Sequence, residues 1–266
     1  MSQSHDATEP QASGDYGHVR NLRLADLRTA LVAGWRDFLA VPQYGLFFGV
    51  VYALAGFALS YVLIARGEVS WLIPATAGFP LLAPFTAVGL YEVSRRRELG
   101  ISMTWGQVLG AIKGRGDEQI LSMGVIIFVA FGFWVIIAHL VFSVFLVEAG
   151  AGSESLAFLF TPLGIAMLLV GSVIGAVIAL IFFAITVFSL PMLVERQTDF
   201  LTAIFTSVRL CRTNFAVLMA WAVAIAALLF VAVASAFLGL LVVLPVLGHA
   251  TWHLYRITVR PGIAMM

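Results

Sequence analysis

The sequence predicts an all-α, polytopic membrane protein with six transmembrane helices in three hairpins, each hairpin preceded by a short interfacial amphipathic helix. Three observations predict it: an excess of apolar residues, apolar tracts of bilayer length, and basic residues confined to one side of those tracts. Apolar residues make up 61% of the 266 and charged residues only 11%, with a mean hydropathy of +1.02. A soluble domain carries about 45–50% and about 25%, so lipid has to be the solvent for much of this chain.

A bilayer core needs roughly 20 apolar residues of helix. The first span is expected over about 46–65, closed by Arg66-Gly67-Glu68, and the second over about 71–93, stopped by Arg95-Arg96-Arg97. The third and fourth cover about 120–147 and 159–194, the fourth long enough to need tilt or a kink near Pro191. The last tract, Phe215 to Tyr255, has no charged side chain. As one helix it would be about 60 Å long, so it must fold back at Ser235-Ala236 and Gly239, giving spans at about 215–235 and 238–255. Residues 1–21 are polar and expected to be disordered. The membrane domain fills 22–260, and 261–266 form a short tail.

Fourteen of the fifteen basic residues flank one side of these spans, with Arg66 alone on the other. By the positive-inside rule both termini lie in the cytoplasm, and the expected location is the bacterial cytoplasmic (inner) membrane. The net charge of +1 gives no basic field for nucleic acid. The single cysteine, Cys211, reads as a buried or interfacial thiol.

Before each hairpin comes a segment with helical periodicity. Leu24, Leu27, Leu31, Trp35 and Phe38 form an apolar stripe that Pro42 ends. Thr104 to Lys113 carries Trp105, Val108, Leu109 and Ile112, and Asp199 to Arg212 carries Phe200, Ala203, Ile204, Val208 and Cys211. Such helices suit the cytoplasmic interface, arginines outward and aromatics inward. The unit therefore recurs three times. Its clearest echo is at the ends of even-numbered spans: Pro84 is followed by Glu92 and Arg95, and Pro245 at the same offsets by His253 and Arg256. The middle unit offers Asp199 after Pro191.

The stretch from Gly239 to Arg256, with Ala33-Gly34-Trp35-Arg36-Asp37-Phe38 and Ser189-Leu190-Pro191-Met192-Leu193, resembles the family catalogued as domain of unknown function 2189. The family comprises prokaryotic integral membrane proteins without an established activity, some of which carry a cytochrome c oxidase label. That resemblance implies an integral membrane protein and hints at a respiratory association.

The residues argue against a catalytic oxidase subunit, which needs about six intramembrane histidines. Of the five here, His139, His249 and His253 lie in the membrane part, and His139 is placed at the far end from the other two. His249 and His253, four apart on one helical face, have the spacing of a two-ligand metal site. Beside Trp252 and Tyr255 they read rather as interfacial polar residues. No metalloprotease, phosphate-loop or nucleophile-elbow pattern occurs. The expectation is thus no enzyme, no cofactor and no metal.

The candidate cluster, structural clasp or gate, is Glu92, Asp199, His253, His249, Arg95 and Arg256, with Glu92 and His253 meeting near the cytoplasmic mouth. Expected partners are the lipid bilayer and another membrane protein or a second copy, through helix packing at Gly171 and Gly175. The favoured function is a non-enzymatic accessory, assembly or scaffold protein; a small-molecule permease is the alternative.

Overall fold

The computed structural model describes residues 20–67, 71–113, 118–149 and 156–259. Of the terminal tails expected from the sequence, residues 1–19 and 261–266 lie outside the described residues, while Arg20, expected in the tail, donates its backbone N–H to the Thr258 carbonyl at 3.1 Å. Eleven α-helices follow in order: α1 Leu24–Ala40, α2 Pro42–Ala65, α3 Leu72–Gly78, α4 Ala83–Leu99, α5 Trp105–Gly110, α6 Gln119–Ala149, α7 Pro162–Thr186, α8 Ser189–Glu195, α9 Phe200–Thr213, α10 Phe215–Ala234 and α11 Leu240–Thr258. Among the described residues, five helical segments are long and apolar enough to cross a membrane: Pro42–Ala65, Gln119–Phe145, Pro162–Glu195, Phe215–Ala234 and Leu240–Thr258.

The segment expected as the second span is broken. α3 is followed by a 3₁₀ turn, Phe79–Leu82, before α4 begins. Pro74, Gly78, Pro80 and Pro84 crowd this stretch. Each proline removes an amide donor and displaces the carbonyl four residues earlier, so no single helix is continuous here. The fourth tract bends as expected, with a break at Val187-Phe188 between α7 and α8. Val187 lies four residues before Pro191, whose ring denies it a helical partner.

The last apolar tract does fold back. Its turn carries positive φ at Ala236 (53°) and Phe237 (62°). Ser235 Oγ closes it, donating to the Ala232 carbonyl at 2.8 Å and accepting from Gly239 N at 2.9 Å.

α11 is the axis of the bundle, packed against α1, α2, α4, α8 and α10. Helix backbones approach there because the contact residues are small. A Cβ added at Gly34 of α1 would sit 2.6 Å from Ala250 N, and one at Gly49 of α2 would sit 2.7 Å from Leu241 Cα. The core gathers around α11: Phe188, Leu190, Trp221, Trp252, Leu254 and Tyr255 are all fully buried. α6 and α7 instead pair with each other and expose rows of large apolar side chains, Phe128, Phe133, Leu169 and Val173 among them.

α5 is capped by reciprocal bonds between Thr104 and Gln107. α9 is capped by Asp199, which accepts from Thr202 N at 2.8 Å. Hydrogen bonding by Thr202, its side chain first and its backbone N–H second, draws the Asp199 carboxyl below its ordinary range. α9 buries Ala203 and Cys211, and burial pushes the Cys211 thiol up to about 12, leaving it protonated and unreactive. In α1 the buried stripe is Asp26, Ala30, Gly34, Asp37 and Phe38. Of the apolar stripe expected from the sequence only Phe38 is buried, while Leu24 and Trp35 remain exposed.

Candidate functional site

The ends of α4, α8 and α11 converge, and with α1 they build a polar cluster. α4 and α11 run parallel: Leu90 lies against Gly248, Ser94 meets His249, and Glu98 meets Trp252 and Arg256. The middle unit joins through Glu195, the last residue of α8, which accepts from the Tyr255 hydroxyl and the Arg256 guanidinium.

Asp37 of α1 is the hub. Its Oδ2 accepts from Ser94 Oγ and from His253 Nε2, each at 2.7 Å, and its Oδ1 from Arg97 Nε at 2.9 Å. A carboxylate can only accept, so the Ser94 hydroxyl hydrogen is committed to Asp37. The Ser94 oxygen must then accept from His249 Nδ1, 2.8 Å away. The result is a hydrogen-bonded chain from partly exposed His253 through Asp37 and Ser94 to fully buried His249. Burial acts to raise the Asp37 pKa. The bonds from His253, Ser94 and Arg97 outweigh it and hold the carboxyl down at about 2.

Two further knots flank the hub. Glu92 is held by Arg95 through two bonds of 2.7 Å and by Arg96 at 2.6 Å. Glu98 accepts from Trp252 Nε1 at 3.1 Å and from Arg256 Nε at 3.0 Å. Every carboxylate here thus has at least one charged donor, the condition under which partly buried charge is tolerated.

Of the six residues expected to cluster, five lie on the converging helices: Glu92, Arg95, His249, His253 and Arg256. The pairing differs from expectation. Glu92 and His253 share no ion pair; Glu92 engages arginines of its own helix, and His253 engages Asp37. The middle unit contributes Glu195 rather than Asp199, which caps α9. Sequence reasoning also passed over Asp37, Ser94, Glu98 and Glu195. Asp37 did carry a signal, an acidic residue beside the apolar Phe38 of the expected stripe.

His249 and His253 turn their ring nitrogens to different partners, and among the described residues no group of three or more potential ligands could hold a metal. His139 is far from both. It stacks on Trp71, with centroids 5.1 Å apart.

A separate cavity of about 330 Å³ lies between α3, α6 and α7. Trp134, Phe142, Met167, Gly171 and Gly175 line it, and among the described residues Ser172 and the Trp134 indole N–H are the polar groups of a mostly apolar lining. An added Cβ at Gly171 would find only Val141, at 3.9 Å. Gly175 sits against the Trp134 ring. Gly175 thus packs against α6, while Gly171 borders the open space between α6 and α7.

No curated protein and no solved structure matches this chain. A family model described as "Predicted integral membrane protein (DUF2189)" matches residues 72–195, from the start of α3 to the end of α8. That segment, which supplies two of the three converging helix ends, is thus similar to the DUF2189 family of predicted integral membrane proteins.

Proposed function

We propose that this protein is a non-enzymatic accessory, assembly or scaffold component of the bacterial inner membrane, with a respiratory complex of the cytochrome oxidase type as its candidate partner. One observation carries the reading: the polar groups of the cluster are spent on one another. Asp37, Glu92, Glu98 and Glu195 are each neutralised by named arginines or His253, which suits a clasp between helices better than a reacting centre. The apolar faces of α6 and α7 are left as surface for lipid or another membrane protein. The respiratory element rests on the family resemblance alone. Affinity purification of the full chain in mild detergent, with mass spectrometry and a haem spectrum, is the test. A stoichiometric oxidase partner is expected, and a lone haem-free protein in every detergent would sink the respiratory element.

The membrane arrangement proposed with it has six spans in three hairpins, α3 and α4 together making the broken second span. Both termini lie in the cytoplasm. A reporter fused after Met266 then reads cytoplasmic and one fused after Phe237 reads periplasmic. A periplasmic reading at Met266 would remove one crossing.

A permease is the second reading, and the cavity beside the α3 break favours it, since broken helices commonly border transport sites. The lining is apolar, so the cargo would be apolar too. A Gly171→Leu variant, filling the cavity, should abolish cargo flux under this reading and leave partner retention unchanged under the first.

A further inference from the structure

The ion pairs of the converging end leave a residue of uncompensated positive charge, and it is not spread evenly. Asp26 is taken by Arg20, Asp37 by Arg97 and His253, Glu92 by Arg95 and Arg96, and Glu98 and Glu195 by Arg256. Asp199 is committed to its helix cap. Arg23, Arg28 and Arg36, at the start of α1 and along it, and Arg209 and Arg212 of α9 enter no ion pair among the described residues, and all five are exposed.

The two helices meet end to start. Leu22 N donates to Asn214 Oδ1 at 2.7 Å, a buried bond that ties the close of α9 to the residues opening α1. It brings Arg23 and Arg212, each within two residues of the bond, to one seam. Along α9 the exposed positions Leu201, Phe205, Arg209 and Arg212 fall three or four apart, so they share one face, apolar at its start and basic at its end. Phe205 is 72% exposed and Leu24, beside Arg23, is 64% exposed. A surface that puts large apolar side chains next to unpaired arginines matches the boundary between acyl chains and headgroups.

We propose that the seam between α9 and the start of α1 binds the phosphate of an anionic bilayer lipid, with Arg23, Arg209 and Arg212 supplying the charge and Leu24 and Phe205 reaching the acyl region. Charge complementarity names the occupant: guanidinium groups that form no ion pair among the described residues take an anion, and the adjoining apolar residues demand one with a tail. The site goes beyond the scaffold reading and stands whether or not a protein partner exists.

The full-length protein in neutral detergent would be titrated with dihexanoyl phosphatidylglycerol, dihexanoyl phosphatidylcholine and inorganic phosphate, with bound copies counted by native mass spectrometry. The glycerol lipid should bind about tenfold more tightly than the choline lipid at low salt, and the preference should fade as added salt screens the site. Each Arg→Gln change at Arg23, Arg209 or Arg212 should weaken it about fivefold, while Arg66→Gln, on another part of the chain, should leave it unchanged. These arginines are exposed and unpaired, so the variants should fold; an unaltered melting temperature without lipid checks that. Equal binding of the two lipids, an equal loss in Arg66→Gln, or phosphate competing as strongly as the glycerol lipid would overturn the proposal.

Discussion

The two halves of this bundle solve the packing problem differently. Around α11 the contact residues are small, the backbones nearly touch, and 61% of an 18-residue window of α11 is buried. In the α6/α7 half only 6% of an 18-residue apolar window of the Pro162–Glu195 segment is buried, large side chains face outward, and a cavity of about 330 Å³ separates the helices. α11 also carries the polar cluster. Helices that must hold buried charge in register need fixed neighbours, because a shift of even an ångström would strand a carboxylate in a medium that cannot solvate it. The α6/α7 half has no such obligation among its described side chains and tolerates looseness.

The largest expected effect tests that obligation. Asp37→Asn removes the anion from Arg97 and His253 and should destabilise the detergent-solubilised protein by about 3 kcal/mol. That is the lower end for a broken buried pair, since the Arg97 side chain is 33% exposed. The same group predicts an acid limb. Its pKa falls on folding from 3.8 to about 2, so its contribution is fully present above about pH 4 and is lost as pH drops through 2. The amount is about 2 kcal/mol, and Asp37→Asn should not show that part of the pH dependence. Denaturant melts at several pH values would show it, and an unchanged acid limb in the variant would remove Asp37 from the hub.

Next in size is the close approach of α1 to α11. Gly34→Ala places a methyl group 2.6 Å from backbone N of Ala250, which neither helix can yield cheaply. A loss of about 2 kcal/mol is expected in the same melts. A neutral result would mean that α1 can stand off from α11 freely, and the contrast between the halves would weaken.

Smaller and more diagnostic are two mutant cycles. Asp37→Asn with His253→Gln should be coupled by about 1 kcal/mol, because the two side chains share a 2.7 Å bond. Glu92→Gln with His253→Gln should add within about 0.5 kcal/mol, since their partners differ. Coupling in the second cycle and additivity in the first would restore the Glu92–His253 contact suggested by the repeat.

The smallest effect belongs to the loose half. Gly171→Ala meets only Val141, at 3.9 Å, and a helical alanine is favoured over glycine by about 1 kcal/mol. A change near zero or slightly stabilising is expected from thermal unfolding. A loss comparable to that of Gly34→Ala would show α6 and α7 to be as tightly registered as α1 and α11.

Where apolar periodicity and length carried the information, the sequence was legible. The fold-back of Phe215–Tyr255 emerges within a few residues of its expected turn, because no single helix of that length fits a bilayer core. The kink before Pro191 follows from a missing amide. The α3 break was equally available in Pro74, Gly78, Pro80 and Pro84, yet hydropathy alone reads the tract as continuous. The cluster was half legible. The repeat located Glu92 and His253 on parallel helix ends, but His253 finds its partner 216 residues away in α1, and no local pattern encodes that.

The sequence by itself determined that the chain is helical, that lipid surrounds much of it, and which tracts are long enough to cross. These follow from solvent transfer and backbone satisfaction, which act residue by residue along the chain. Only the tertiary structure decided which charges meet. Glu92 turns to its own helix because Arg95 and Arg96 lie one turn on, while Asp37 reaches Ser94 and His253 because Gly34 lets α1 lie almost on the backbone of α11. Ion-pair choice is set by distances of an ångström or two between helices remote in sequence, and those distances exist only once the small residues have brought the helices together.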